Sequence, residues 1–332
     1  MTYFDFLGRL AHEVEARKEE RKIDTYSSYL QPEEWAEVLA GLDDHDGEEV
    51  LERMAPIVSM AETHYEGILR CILDSGYQPR PVLDLRKRTP QKKEIYIFHD
   101  VHADGILPAF GLVRVNKRLG VPTTFYMNWG FSNRDEDYAD AYRSLGRFAG
   151  DNVHLGLHAH PFCSWLQELF GWSWPTYRKW MVSPDCEKDM LNLLHRRFKG
   201  RTIAEAELET ERKFFRIVST FRKDFPSARS TNQHGNTLNR VFKKIANENP
   251  KGAQLGRKFR PNNFLTAERV KKAGLQLSLP ERMRTLEMMG YFWESNNKEG
   301  YYTRLKEKLQ ADDPLFLLNH PANLENGRIK FY

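Results

Sequence analysis

From Glu94 onward, short apolar runs alternate with amphipathic stretches, and this alternation constrains the fold more than any other feature of the chain. Ile95-Tyr96-Ile97-Phe98 is apolar at every position, the pattern of a strand buried on both faces of a parallel sheet. Residues 105–119 read as a helix, Thr123 to Met127 as a second strand and Val153 to His160 as a third. Helices are expected over 185–198 and 203–221, the latter with Ile203, Ala206, Phe214, Val218 and Phe221 along one side. Further strands are expected at 228–232, 276–279, 288–293 and 315–318. Strands separated by helices make a parallel sheet, open or closed into a barrel.

The preceding part of the chain has a different texture. Phe6, Leu7, Leu10 and Val14, and again Trp35, Val38, Leu39 and Leu42, recur at helical spacing, and Pro32-Glu33-Glu34 has the composition of a helix start. Tyr77-Gln78-Pro79-Arg80-Pro81 and the polar run Arg86 to Lys93 are poor in apolar residues, so a boundary is expected there. That divides the 332 residues into a helical segment, 1–92, and an α/β domain, 93–332.

Composition narrows the function classes. No run approaches the roughly 20 apolar residues that cross a bilayer, and Met1 to Leu10 lacks the basic start and apolar middle of an export signal, so no membrane span and a cytoplasmic location are expected. A net charge of +4, with basic and acidic residues interspersed, argues against nucleic acid as the partner. Cys71, Cys163 and Cys186 include no C-x-x-C pair, so a bound metal would take His and carboxylate ligands.

Two strings carry those groups. In Phe98-His99-Asp100-Val101-His102-Ala103-Asp104-Gly105, period-two alternation puts Asp100, His102 and Asp104 on one face if the chain stays extended; Asp104 is equally well placed to cap the helix that follows. In Val153-His154-Leu155-Gly156-Leu157-His158-Ala159-His160, the same rule aligns His154, His158 and His160, with His154 furthest back and read as structural. Ligands collect at the carboxyl ends of strands in parallel α/β folds, so the two strand ends are expected to line one pocket. A mixed His and carboxylate shell suits a divalent transition metal, zinc foremost, with iron, manganese or cobalt as alternatives. His234 in Thr231-Asn232-Gln233-His234-Gly235 and His320 in Leu317-Leu318-Asn319-His320-Pro321 follow later strands. Each of these histidines also has a plain reading as a hydrogen-bonded strand-end residue.

The order Phe98-His99-Asp100-Val101-His102, Gly120-Val121-Pro122-Thr123-Thr124-Phe125, His154-Leu155-Gly156-Leu157-His158 and Leu318-Asn319-His320-Pro321 resembles the polysaccharide deacetylases, the NodB-homology or carbohydrate esterase family 4 group. The resemblance spans about Glu94 to Pro321. It implies a distorted (β/α) barrel of about seven parallel strands and metal-dependent removal of an N-acetyl or related acyl group from a carbohydrate or glycoconjugate. It also implies Asp100 as base or ligand, His158 as a metal ligand and His320 as general acid. The sequence departs from the family pattern at two places. The usual paired acids become Asp100-Val101-His102, leaving His102 or Asp104 as the second group, and the usual second histidine position is Phe162, leaving His160 as its substitute. His234 is expected either to position substrate or stabilise the oxyanion, or to stabilise its own turn beside Gly235.

The segment from Phe162 to Trp180 is rich in aromatic residues, and Trp172 and Trp174, around Ser173 and before Pro175, suit a substrate-stacking rim; core packing is the alternative for this segment. Two further functions compete. An amidohydrolase- or phosphoesterase-type hydrolase would use His158-Ala159-His160, and a catalytically inactive carbohydrate-binding or scaffold protein would keep the barrel without the chemistry.

Overall fold

A computed structural model describes residues 2–21, 34, 37–38, 41, 45–102, 105–129, 139–150, 152–159, 161, 203–232, 267–277, 305–319 and 321. Its helices are α1 (Tyr3–Arg21), α2 (Gly47–Arg53), α3 (Ala55–Asp74), α4 (Ile106–Leu119), α5 (Ala139–Ala149), α6 (Ile203–Asp224) and α7 (Ala267–Lys272). Its strands are β1 (Gln78–Arg80), β2 (Glu94–Val101), β3 (Thr123–Asn128), β4 (Val153–His158), β5 (Ser230–Asn232), β6 (Gln276–Leu277) and β7 (Leu315–Asn319). The fold is α/β on a parallel sheet. Among the described residues no helix is long and apolar enough to cross a membrane. The expected helix at 185–198 and strand at 288–293 lie outside the described residues.

The chain divides into two compact units, Met1–Met127 with Glu136–Gly156 and Ser278–Tyr332, and Asn128–Asp135 with Leu157–Leu277. In the first unit β2 is central. Ile95 and Tyr96 pair with both β1 and β7, which therefore lie on opposite edges of β2; Phe98 and His99 pair with both β3 and β7. β1 and β3 thus follow one another along a single edge. All eight residues of β2 are buried, as a parallel strand covered on both faces must be. Full burial of a side chain such as Ile97 or Phe98 contributes roughly 1.5–3 kcal/mol.

One face of β2 carries Tyr96 and Phe98, which pack with Val82, Leu85, Tyr126, Leu318 and Phe316. On the other face His99 meets Tyr65 of α3, and Arg114 clamps α3 and α4 together through paired bonds of 2.7 Å to Glu62. Gly120, at φ 64°, ends α4 in the left-handed conformation that glycine reaches without strain.

The stretch expected to be a boundary is instead part of this unit. Gln78–Arg80 forms β1, paired with Glu94–Tyr96, and Val82–Arg86 is a 3-10 turn whose Val82 and Leu85 enter the core. Pro79 has no N–H for a ladder bond, and it sits in a three-residue strand of the kind that edge positions tolerate.

In the second unit β4 pairs with β5 and β5 with β6. The buried side of α6 carries Phe214, Ile217, Val218 and Phe221, continued by Phe225. Trp129 packs edge-on to Phe221 and Phe225, with ring centroids 5.7 and 6.0 Å away, and its Nε1–H donates to Thr220 at 3.1 Å.

Candidate functional site

In the first unit the alternation of β2 puts Glu94, Tyr96, Phe98 and Asp100 on one face, with a carboxylate at each end. Six steps along the strand separate these carboxylates by roughly 20 Å, with the aromatic cluster between them. At the amino end, burial raises the Glu94 carboxyl, but hydrogen bonds from Arg88 at 2.7 Å, the Gln91 N–H at 2.8 Å and the Tyr96 hydroxyl at 2.8 Å outweigh it and hold the group down to about 2. At the carboxyl end Asp100 is buried and pairs in register with Tyr126. The adjoining Val101 carbonyl accepts from the Tyr142 hydroxyl of α5 at 3.0 Å, which fixes the chain as it leaves the sheet.

β2 ends at Val101. His102 is half-buried, and its carbonyl accepts the Gly105 N–H at 2.8 Å. Of the three residues that alternation is expected to align, Asp100 lies within β2 and His102 directly follows it. Gly105, which has no side chain, occupies the N-cap of α4. Asp104 itself lies outside the described residues.

His99, on the helix-facing side of β2, is fully buried, and burial pushes its imidazole down to about 3, which keeps it neutral. Its Nε2 lies 3.3 Å from the Tyr65 hydroxyl, which donates to Asn116 Oδ1 at 2.8 Å.

In the second unit His158 ends β4, fully buried, with Nδ1 2.7 Å from Asn232 Oδ1. The amide oxygen only accepts, so Nδ1 carries the proton and the lone pair sits on Nε2. Burial, partly offset by the Asn232 bond, pushes the ring down to about 4, so it is neutral, the form in which histidine binds a metal. A ligand histidine typically has its other nitrogen held in this way. The strand ends are stitched by Ala159 N–H to the Asn232 carbonyl at 3.3 Å and by Thr231 Oγ1 to the Leu157 carbonyl at 2.7 Å.

Asn232 is the one residue here that sequence reasoning passed over. Its signal was its place in the strand-end string beside His234, but its pairing with His158 is a matter of register. His154 is half-buried on β4, and His160, His234, His320, Trp172 and Trp174 lie outside the described residues. Among the described residues, no three His, Cys, Asp or Glu side chains gather as for a metal ion. Comparison with protein-family models, with curated proteins and with solved structures found no match.

Proposed function

We propose that this protein is a metal-dependent hydrolase, built on a distorted barrel of about seven parallel strands, that removes an N-acetyl or related acyl group from a carbohydrate or glycoconjugate. The observation that carries the reading is the buried, neutral His158 with Nδ1 held by Asn232 and its lone pair on Nε2. Support also comes from register: His99 pairs with Asn319, and Asp100 and His320 are the residues that follow them in sequence.

In this reading His102, Asp104, His158 and His160 are the ligand candidates. A divalent transition metal, zinc foremost, would supply Lewis acidity and an acidified water. Asp100, buried at the carboxyl end of β2, accepts the proton of the attacking water. His320 donates a proton to the departing amine or alkoxide. His234 orients substrate, and Trp172 and Trp174 stack on sugar rings.

The test is acetate release from N-acetylated oligosaccharides by protein purified and then supplied with zinc, manganese or cobalt. Metal-dependent acetate release that Asp100→Asn abolishes supports the proposal. Phosphate release or ring-amide cleavage instead points to the other hydrolase classes. Sugar binding without turnover under every metal condition points to a binding or scaffold protein.

A further inference from the structure

We propose that His99 and Asn319 hold a single water molecule between them, and that this completes a one-way hydrogen-bond chain which makes both of them positioning residues for the carboxyl ends of β2 and β7. The two are register partners, so their side chains leave the sheet on the same side, and both are fully buried. Three of their polar atoms have no hydrogen-bond partner: His99 Nδ1, Asn319 Oδ1 and Asn319 Nδ2. Neighbouring orphans on adjacent strands call for one shared explanation.

Proton bookkeeping fixes the chain's direction. The Asn116 amide NH2 donates to the Leu112 carbonyl at 2.9 Å, which identifies Asn116 Oδ1 as the acceptor facing Tyr65. Tyr65 has one hydroxyl proton and spends it on that oxygen. Its oxygen therefore accepts from His99 Nε2, 3.3 Å away, so His99 carries its proton on Nε2 and Nδ1 is an acceptor lacking a donor.

On the other edge of β2 the register partner of His99 is Phe125, whose ring packs 4.5 Å from the imidazole and offers no polar atom. Asn319 is the polar neighbour. No direct bond joins the two side chains, and paired strands about 4.8 Å apart leave a suitable span for one water making two bonds of about 2.8 Å. The water donates to His99 Nδ1 and accepts from the Asn319 amide. The chain then runs from Asn319 through His99, Tyr65 and Asn116 to Leu112, binding β7 and β2 to α3 and α4 immediately before Asp100 and His320.

The experiment is nitrogen-15 NMR of histidine-labelled full-length protein, wild type and Asn319→Leu, with carbon-13 detection of the Asp100 carboxyl. The expected wild-type His99 has a protonated Nε2 and an Nδ1 shifted as a hydrogen-bond acceptor, with a cross-peak to a slowly exchanging water. In Asn319→Leu the Nδ1 resonance moves to the unbonded position and the Asp100 carboxyl resonance shifts, although residue 319 pairs with 99 and not with 100. Should Asn319→Leu fail to fold, Asn319→Ser, which keeps a polar group, supplies the comparison and is expected to give a smaller shift of both signals. A protonated Nδ1 in the wild type, or His99 and Asp100 signals that do not respond to either variant, overturns the proposal. Metal binding enters none of these readouts, so the outcome is independent of the hydrolase reading.

Discussion

Replacing Asn232 by Leu removes the acceptor that holds His158 Nδ1 at 2.7 Å, while keeping the side chain's size. Because His158 is fully buried, the N–H left behind has no water to turn to, and the loss is expected to cost about 1–3 kcal/mol of folding stability. At 1.4 kcal/mol per factor of ten, that is roughly a 5- to 150-fold change in the folding equilibrium. The imidazole can relieve the orphan by moving its proton to Nε2, but this removes the lone pair that the metal reading requires. Zinc affinity is therefore expected to fall by about 10- to 100-fold, the usual consequence of losing a partner behind a ligand histidine. Asn232→Asp keeps an acceptor at the same place and should retain the affinity. The assay is denaturant unfolding together with zinc titration against a competing chelator, for wild type and both variants. If Asn232→Leu binds zinc as tightly as wild type, the hydrogen bond does not prepare a ligand and the reasoning fails.

Two further outcomes follow from the first unit. Glu94→Gln should lose about 1–2 kcal/mol of stability at neutral pH, after allowing for solvent screening at Arg80 and Arg88, which are 49% and 32% exposed. Since the folded carboxyl sits at about 2, below its ordinary 4.5, the wild-type advantage is full above pH 4.5 and shrinks as pH falls toward 2; urea midpoints measured across that range check it. Gly120→Ala meets no atom within 4 Å, so its cost is purely that of holding alanine at φ 64°, about 1 kcal/mol by urea unfolding.

The sequence makes the central strands legible because burial in a parallel sheet writes itself as an unbroken apolar run, as in Ile95 to Phe98 and Leu315 to Leu318. β1 escapes that rule: Gln78-Pro79-Arg80 is polar and proline-bearing, and it becomes a strand because β2 presents an edge to it. Periodicity also cannot announce where a strand stops, and β2 ends at Val101, before His102. Candidate residues were legible by type, and their partners were not. Asn232 lies 74 residues from His158, and Asn116 lies 51 from Tyr65; both contacts come from register and helix packing, which no local pattern encodes.

The most direct measurement is the transition-metal content of the purified protein, determined by elemental mass spectrometry on wild type, His158→Ala and Asp100→Asn after reconstitution with zinc. The expected result is about one ion per chain in the wild type, lost in His158→Ala and kept in Asp100→Asn, whose residue is the base and not a ligand. A wild type that stays metal-free, or a His158→Ala variant that keeps its full complement, contradicts the account.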